Sequence, residues 1–294
     1  MSINKPCFEK LYLNCCNIIN KSSDDNIKEK QNKLDWAYKK LCEYEDCELQ
    51  QFYSIVLELN VYKYLSDNGF TLKVADDKKI GPDFECDFRY LECISVTKGD
   101  KETTGREFVD KQLSGCVNRH KSEIPRISAA IKEKKDKFNK YDRDNIIVKN
   151  VPRIIVVGTS IFANEFQSIS CIEDVMQILY SIGNEYLLYD VKNKQFIETE
   201  NNQYRAYDNS GKKSEDVILE FDYFYKNEYK SISAVILVCN QIFEGVEKSN
   251  FKIFLNPNAT YPINKALIST LDYFSFIKED SGYFIYEWNK DHLF

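Results

Sequence analysis

The sequence predicts an α/β fold in which helices flank a mixed sheet, and three observations support this class. Long helical patterns at 49–68 and 123–141 alternate along the chain with short β-type runs. The run RIIVVGTSI at 153–161 is continuously apolar and follows Pro152, which is typical of a strand buried on both faces. A chain of 294 residues with 43% hydrophobic residues can bury a large core around such a sheet.

The predicted elements follow one another in the order helix, three strands, helix, strand. Residues 1–48 are interpreted as an N-terminal helical extension with a helix at 27–44. Residues 49–294 are interpreted as a single α/β domain with C-terminal elaborations. Its first helix ends at the stop signal Gly69. The remaining predicted elements are strands at 70–76, 83–88, 91–96, 153–161, 185–191, 195–199 and 233–239, helices at 123–141 and 170–182, and loops at 99–122 and 254–263.

Composition excludes several classes of protein. A net charge of -6 argues against binding nucleic acid through the whole surface, although a local basic patch can still do so. Ten cysteines without a C-x-x-C pair, and only two histidines, indicate a reducing compartment rather than a disulfide scaffold or a zinc site. No secretion signal and no long apolar run are visible, so we expect a cytoplasmic protein without a membrane span. Export by a route that reads other signals remains open.

The stretch IGPDFECDFRYLECISVTKG, residues 80–99, carries carboxylates into runs that otherwise have the pattern of buried strands. With a period of two, Glu92 shares one face of its strand with Ile94 and Val96. A solvated carboxylate rarely points with large apolar side chains. Pairing of the two strands of this hairpin brings Asp83 or Asp87 close to Glu92.

Glu58 occupies the centre of the apolar helix at 49–68, so it has little access to open water. A partly buried glutamate needs a partner, and a metal ion is one candidate. Clustered carboxylates repel one another unless a cation or a proton lies among them. A second interpretation makes Glu58 a helix-packing residue that is bonded to a lysine or a tyrosine.

These residues together resemble the PD-(D/E)xK nuclease superfamily: Glu58 on a helix, Pro82-Asp83 before a hairpin, and Glu92 in the next strand. The resemblance covers roughly residues 49–160 and implies a restriction-endonuclease-like core. It also implies that Asp83 and Glu92 bind Mg²⁺ or Mn²⁺, with Glu58 as an accessory acidic residue. In such nucleases the metal positions a water for in-line attack on a phosphodiester and neutralises the developing charge.

The chain departs from the family pattern at one position. The family's lysine stands two residues after the glutamate, and here that position is Ile94. We expect Lys134 to replace it, because the helix at 126–141 carries the strongest basic cluster of the chain. Nucleic-acid contacts are expected from the neighbouring cations of this helix, Arg126, Lys132, Lys135 and Lys137. The other interpretation of the cluster is a solvated face interleaved with Glu133 and Asp136.

Two functions follow from these features. The first is metal-dependent hydrolysis of DNA or RNA that uses Asp83, Glu92, Lys134 and Glu58. The alternative is a catalytically degenerate nuclease-like scaffold that acts in protein interaction. The buried acids and the basic helix favour the first function, whereas Ile94 and the acidic net charge favour the second.

Overall fold

A computed structural model describes residues 5–43, 49–76, 79–87, 89–96, 120–159, 167–181, 188–190, 195–197, 221–238, 251–264, 268, 272–278 and 284–288. It confirms the α/β class, because helices flank a mixed eight-stranded sheet. Residues 99–119 of the segment predicted as a loop lie outside the described residues, and residues 120–122 form the start of a helix.

The helices extend the sequence predictions by a few residues at several ends. They are α1 (Lys5–Lys21), α2 (Asp25–Glu43), α3 (Leu49–Asp67), α4 (His120–Arg143) and α5 (Gln167–Tyr180). The sequence did not predict α1. Gly69 follows α3 with a φ of 83°, which explains why the helix stops there. None of the helices in these described segments is long and apolar enough to cross a bilayer.

The strands of the main sheet run in the order β1-β2-β3-β4-β7-β8-β9-β10. Strands β1, β2 and β3 are antiparallel neighbours, β3, β4 and β7 run parallel, and β8 is antiparallel to β7 and parallel to β9. A separate hairpin pairs β5 with β6. The bounds are β1 Leu72–Val74, β2 Phe84–Cys86, β3 Arg89–Ser95, β4 Arg153–Gly158, β5 Leu188–Asp190, β6 Gln195–Ile197, β7 Ala234–Val238, β8 Phe251–Leu255, β9 Asp272–Lys278 and β10 Phe284–Trp288.

Two hydrophobic clusters cover the two faces of the sheet. Leu91 and Cys93 of β3 pack with α1, α2 and α3, whereas Tyr90 and Val96 pack with α4 and α5. The period of two predicted for this strand is therefore confirmed. Strand β4 is buried along its whole length, as its continuous apolar run indicated.

The N-terminal helices share their core with α3. Leu11 and Leu34 belong to the same hydrophobic cluster as the buried face of α3. The Asn26 side chain donates to the Val74 carbonyl at 3.0 Å and ties α2 to β1. Packing therefore does not separate the residues before position 49 from the domain that follows.

Gly158 allows α3 to approach the end of β4. A Cβ at this position would lie 3.0 Å from Cδ2 of the fully buried Leu57. Gly158→Val is therefore expected to lower the free energy of unfolding by about 1–3 kcal/mol, measured by denaturant titration. In a double-mutant cycle, Gly158→Ala should cost clearly less in a Leu57→Ala background. Equal costs in the two backgrounds would contradict a direct contact.

Candidate active site

The β2–β3 hairpin brings Asp83 next to Glu92. Phe84 pairs with Leu91, so Asp83 lies one step before β2, beside the middle of β3. The Cys93 N–H donates to Oδ2 of Asp83 at 2.7 Å. The sequence left open whether Asp83 or Asp87 approaches Glu92. Asp87 lies at the far end of β2, where its Oδ2 accepts from the Thr71 N–H at 3.2 Å.

Glu92 is fully buried, and both of its carboxylate oxygens have partners on α4. Oε2 lies 2.9 Å from the Lys134 Nζ and 2.7 Å from the Lys137 Nζ. Oε1 accepts from the Tyr141 hydroxyl at 2.8 Å, and this hydroxyl also lies 2.6 Å from the Gly81 carbonyl. Two ammonium donors on one oxygen favour the ionised carboxylate.

Helical spacing explains how α4 supplies these three partners. Positions 134, 137 and 141 follow one another at three and four residues, so their side chains lie on the same face. The buried Ile127, Ile131 and Phe138 hold the helix against the sheet beside them. Sequence analysis predicted that Lys134 reaches the site, and the structure brings its ammonium to Glu92.

Burial and nearby charges shift the pKa values of Glu92 and of its neighbours. Burial raises the pKa of Glu92, and repulsion from Asp83 raises it further, against the opposing effect of Lys134 and Lys137. Burial lowers the pKa of Lys137, but attraction to Glu92 outweighs this and the net shift is upward. The pKa of the Cys93 thiol is well above its usual range because of burial and the charges of Asp83 and Glu58. The thiol is buried in the apolar cluster beside Leu91, where a cysteine packs as a small apolar side chain.

Glu58 pairs with a lysine of the N-terminal region. Its Oε2 lies 2.5 Å from the Lys30 Nζ, and the Lys30 side chain is only 7% exposed. This is the helix-packing arrangement that the sequence left open for Glu58. Its negative charge still extends to the site, because Glu58 contributes to the raised pKa of Cys93.

The basic residues of α4 divide into separate environments. Lys135 is buried, with its ammonium 4.9 Å from the Tyr229 ring centroid and 3.0 Å from Asp136. It packs against the turn at Asn227–Tyr229 and does not belong to a phosphate-binding surface, contrary to the sequence prediction. Lys137 contacts Glu92 and is thus part of the site rather than of a flanking surface. Lys132 is exposed and Arg126 is half-buried.

Three members of this arrangement were missed by sequence reasoning: the Tyr141 hydroxyl, the Gly81 carbonyl and Lys30. Tyr141 lies one helical turn after Lys137, on the face of α4 that Lys134 and Lys137 share, so the spacing could have found it. Lys30 lies among the apolar positions of α2 between Ile27 and Leu34, which marks it as a buried cation in need of a partner. No sequence signal singles out the Gly81 carbonyl.

Asp83 and Glu92 form a donor set of two carboxylates. Within the described segments, no group of three or more His, Cys, Asp or Glu residues converges on a point where a metal could bind. Mg²⁺ commonly binds through one or two carboxylates, with water and substrate phosphate completing its shell. Asp83 lies opposite Glu92 across the β2–β3 pair, so the two carboxylates are neighbours, and a shared cation would relieve their mutual repulsion. The resemblance assigns these two carboxylates to Mg²⁺ or Mn²⁺, and both oxygens of Glu92 already accept hydrogen bonds from protein donors.

Removal of the Glu92 charge tests the electrostatic role of the cluster. Glu92→Gln leaves the two ammonium groups without a buried counter-charge, so the free energy of unfolding should fall by about 3–5 kcal/mol in denaturant titrations. The double variant Glu92→Gln/Lys134→Met should regain part of the lost free energy of unfolding.

Glu85→Gln on β2 is the matched control. Glu85 is 41% exposed and lies 3.8 Å from a lysine that is 82% exposed, so its loss should cost no more than about 0.5 kcal/mol. Equal effects of the Glu92 and Glu85 substitutions would contradict the buried ion cluster.

No family model, no curated protein and no solved structure matches this chain. The resemblance to PD-(D/E)xK nucleases consequently rests on residues of the chain itself. These are Glu58, Pro82-Asp83 and Glu92.

Proposed function

We propose that this protein is a divalent-metal-dependent nuclease that hydrolyses phosphodiester bonds of nucleic acid. One observation carries the proposal: the Lys134 ammonium lies 2.9 Å from Oε2 of Glu92. Helix α4 thereby supplies a cation at the acidic pair, where the family pattern would place a lysine at position 94. A fully buried glutamate, a half-buried aspartate and a buried lysine together supply the two acids and the cation that the resemblance implies.

The order of elements supports a restriction-endonuclease-like core. Helix α3 is followed by the antiparallel strands β1, β2 and β3, then by α4, and then by β4, which runs parallel to β3. This is the helix, three strands, helix, strand order on which the resemblance was based. Asp83 lies one residue before β2, beside the middle of β3, where Glu92 faces the helix that carries the lysines.

The proposal gives Asp83 and Glu92 the task of holding Mg²⁺ or Mn²⁺. Such an ion would polarise the phosphate and lower the pKa of the attacking water. The Lys134 side chain is 10% exposed, so it holds Glu92 in place and balances its charge. The Lys137 side chain is 37% exposed, so it is the lysine that can meet a phosphate arriving from solvent.

Charge balance indicates how substrate and cation depend on each other. The charges of Asp83, Glu92, Lys134 and Lys137 sum to zero, since two carboxylates face two ammonium groups. A metal cation that binds alone is repelled by these two ammonium groups. A bound phosphodiester anion would offset their positive charge. We therefore expect metal binding to be weak in the free protein and stronger when nucleic acid is present.

A second candidate function is a catalytically inactive scaffold that acts in protein interaction. Its support is that Glu92 already has partners at both oxygens within the protein, and that its charge is matched by lysines. Under this alternative the cluster only stabilises the contact between α4 and β3. Neither Mg²⁺ nor Mn²⁺ would then change stability or produce cleavage.

The metal proposal is tested by titrating Mn²⁺ and Mg²⁺ into the protein in a calorimeter, with and without a phosphorothioate oligonucleotide, and by assaying cleavage of DNA and RNA. Asp83→Asn should abolish the binding heat and lower cleavage by more than about a hundredfold, because it removes one of the two carboxylate ligands. Glu85→Gln, a carboxylate of the same hairpin, should leave both unchanged.

The two candidate functions give opposite results in one further measurement. If neither cation raises the melting temperature or supports cleavage, and Asp83→Ala stabilises the protein, the scaffold function replaces the nuclease. Stabilisation would then arise because the substitution removes repulsion of Glu92 without the loss of any ligand.

Position 94 offers a gain-of-function test. Ile94 is half-buried on the same face of β3 as Glu92, so a lysine there points toward the site. Lys134→Met should reduce the cleavage rate. Adding Ile94→Lys to this variant should raise its cleavage rate by about tenfold. Lys63→Met, on the exposed side of α3, serves as the control for loss of a lysine. Absence of any restoration would argue against Lys134 as the substitute for the family's lysine.

A further inference from the structure

The Tyr141 hydroxyl is a single donor that lies between two acceptors from different parts of the β2–β3 hairpin. It lies 2.6 Å from the Gly81 carbonyl oxygen and 2.8 Å from Oε1 of Glu92. Both distances are typical of O–H···O hydrogen bonds. The two acceptors are electron-rich oxygens, so the hydroxyl proton between them holds together groups that would otherwise repel each other. Tyr141 is buried on α4, which presents this hydroxyl from a fixed position.

Gly81 passes this contact to Asp83 over a short and stiff piece of chain. Pro82 lies between them, and its ring fixes φ, so the orientation of the Gly81 carbonyl largely sets the path of the chain into Asp83. Two backbone N–H groups donate to Asp83 itself. The Ala75 N–H lies 3.0 Å from its carbonyl oxygen, and the Cys93 N–H lies 2.7 Å from its Oδ2. Asp83 is thus tied to three elements, which are α4, the end of β1 and β3.

The same hydroxyl sets the direction of the Glu92 carboxylate. Lys134 and Lys137 both contact Oε2, whereas Tyr141 contacts Oε1. An ionised carboxylate offers roughly four acceptor positions, two on each oxygen. Among the residues that the structure describes, these donors occupy all but one position, which is on Oε1. Because Oε1 and the Gly81 carbonyl share one hydroxyl, Oε1 is the oxygen on the side of the Gly81 loop.

We infer that Tyr141 is a positioning residue, which holds Asp83 and Glu92 in a fixed relation and turns Oε1 of Glu92 toward the Asp83 segment. The consequence rests on the proposed nuclease function: a cation that binds both carboxylates would find them already arranged. Preorganised ligands bind more tightly because less ordering is needed on binding. A bound cation then ties the two carboxylates together itself. The hydroxyl therefore contributes to metal affinity and little to the rate of the loaded protein.

Tyr141→Phe removes the hydroxyl and keeps the ring. This ring packs edge-on against Phe138, with centroids 6.2 Å apart, and the Lys137 ammonium lies 5.6 Å from its centroid. A phenylalanine retains both contacts, so the variant should fold. Tyr90→Phe is the matched control, because it removes another hydroxyl from the face of β3 that packs on α4. The Tyr90 hydroxyl accepts from the Val148 N–H at 3.1 Å and does not join the two acidic segments.

The first measurement needs no metal. Amide hydrogen exchange of the whole protein is followed by NMR in EDTA, and the Ala75 and Cys93 amides report how firmly Asp83 is held. Tyr141→Phe should raise both exchange rates by about tenfold relative to the amides of the buried strand β4, because a hydrogen bond of this segment is lost. Tyr90→Phe should leave both ratios unchanged.

The second measurement separates a positioning role from a role in packing alone. Mn²⁺ is titrated in a calorimeter in the presence of a phosphorothioate oligonucleotide, and cleavage rates are measured against Mn²⁺ concentration. Tyr141→Phe should weaken Mn²⁺ binding by about 10–100-fold and raise the half-saturating concentration accordingly. The rate at saturating Mn²⁺ should stay close to that of the wild type. A tyrosine that only packs would change the melting temperature and not the dependence on Mn²⁺, and Tyr90→Phe should behave in this way.

The inference is overturned if the Ala75 and Cys93 amides of Tyr141→Phe exchange no faster, relative to β4, than those of the wild type. It is also overturned if this variant binds Mn²⁺ as tightly as the wild type or more tightly. Tighter binding would mean that the hydroxyl competes with the cation for Oε1. Equal effects of Tyr90→Phe in both measurements would count against it as well.

Failure of this inference can be told apart from failure of the proposed function. A wild-type protein that neither binds Mn²⁺ or Mg²⁺ nor cleaves nucleic acid rejects the nuclease. The exchange rates alone then decide whether Tyr141 holds the two carboxylates together. Metal-dependent cleavage with the same Mn²⁺ dependence in the wild type and in Tyr141→Phe keeps the nuclease and rejects the positioning role.

Discussion

The burial of the Glu92 charge is the constraint on which the rest of the site depends. A carboxylate removed from water needs partners at each oxygen, and here these come from a single helix, α4. Meeting this requirement fixes the rotation and the height of α4 over β3. The same contacts position the loop at Gly81 and, through it, Asp83. Apolar packing holds α4 on the sheet, but the charge decides which helical face meets which strand residue.

Stability and reactivity make different demands on this cluster. An acid pair that holds a cation should repel itself when the cation is absent, and such repulsion would weaken the resting protein. Lys134 and Lys137 offset part of that penalty at Glu92, although burial and the Asp83 charge still leave its pKa raised. The same lysines then compete with a metal for Glu92, so a substrate phosphate that attracts them away would favour the metal-bound state. Under the proposed nuclease function, such a protein would be stable before it meets its substrate and would depend on the substrate for full assembly of the site.

The sequence could predict much of the fold and part of the site, for reasons visible in particular residues. A period of two in β3 predicts which face Glu92 occupies, and the proximity of Asp83 follows from hairpin pairing alone. A helical stripe shows that Lys134 and Lys137 share a face, but it does not show which strand residue they meet, so Lys137 was placed on a flanking surface. Lys135, one position from Lys134, was assigned to the same surface because its burial depends on Tyr229, which is distant in sequence. Strands β8, β9 and β10 were not predicted, since turn signals and mixed polarity obscure their pattern.

Exposure increases stepwise from the carboxylate to the surface, and this order bears on how the cluster could act. The Glu92 side chain is fully buried, Lys134 is 10% exposed and Lys137 is 37% exposed. If both lysines of the cluster were buried, a phosphate could reach them only after the protein opened. If both were solvated, screening would weaken their hold on Glu92. Under the proposed function, one buried lysine beside the carboxylate and one accessible lysine for the substrate would satisfy both requirements at once. The gradient thus gives a physical reason for two lysines on α4 where the family pattern has a single one on the strand.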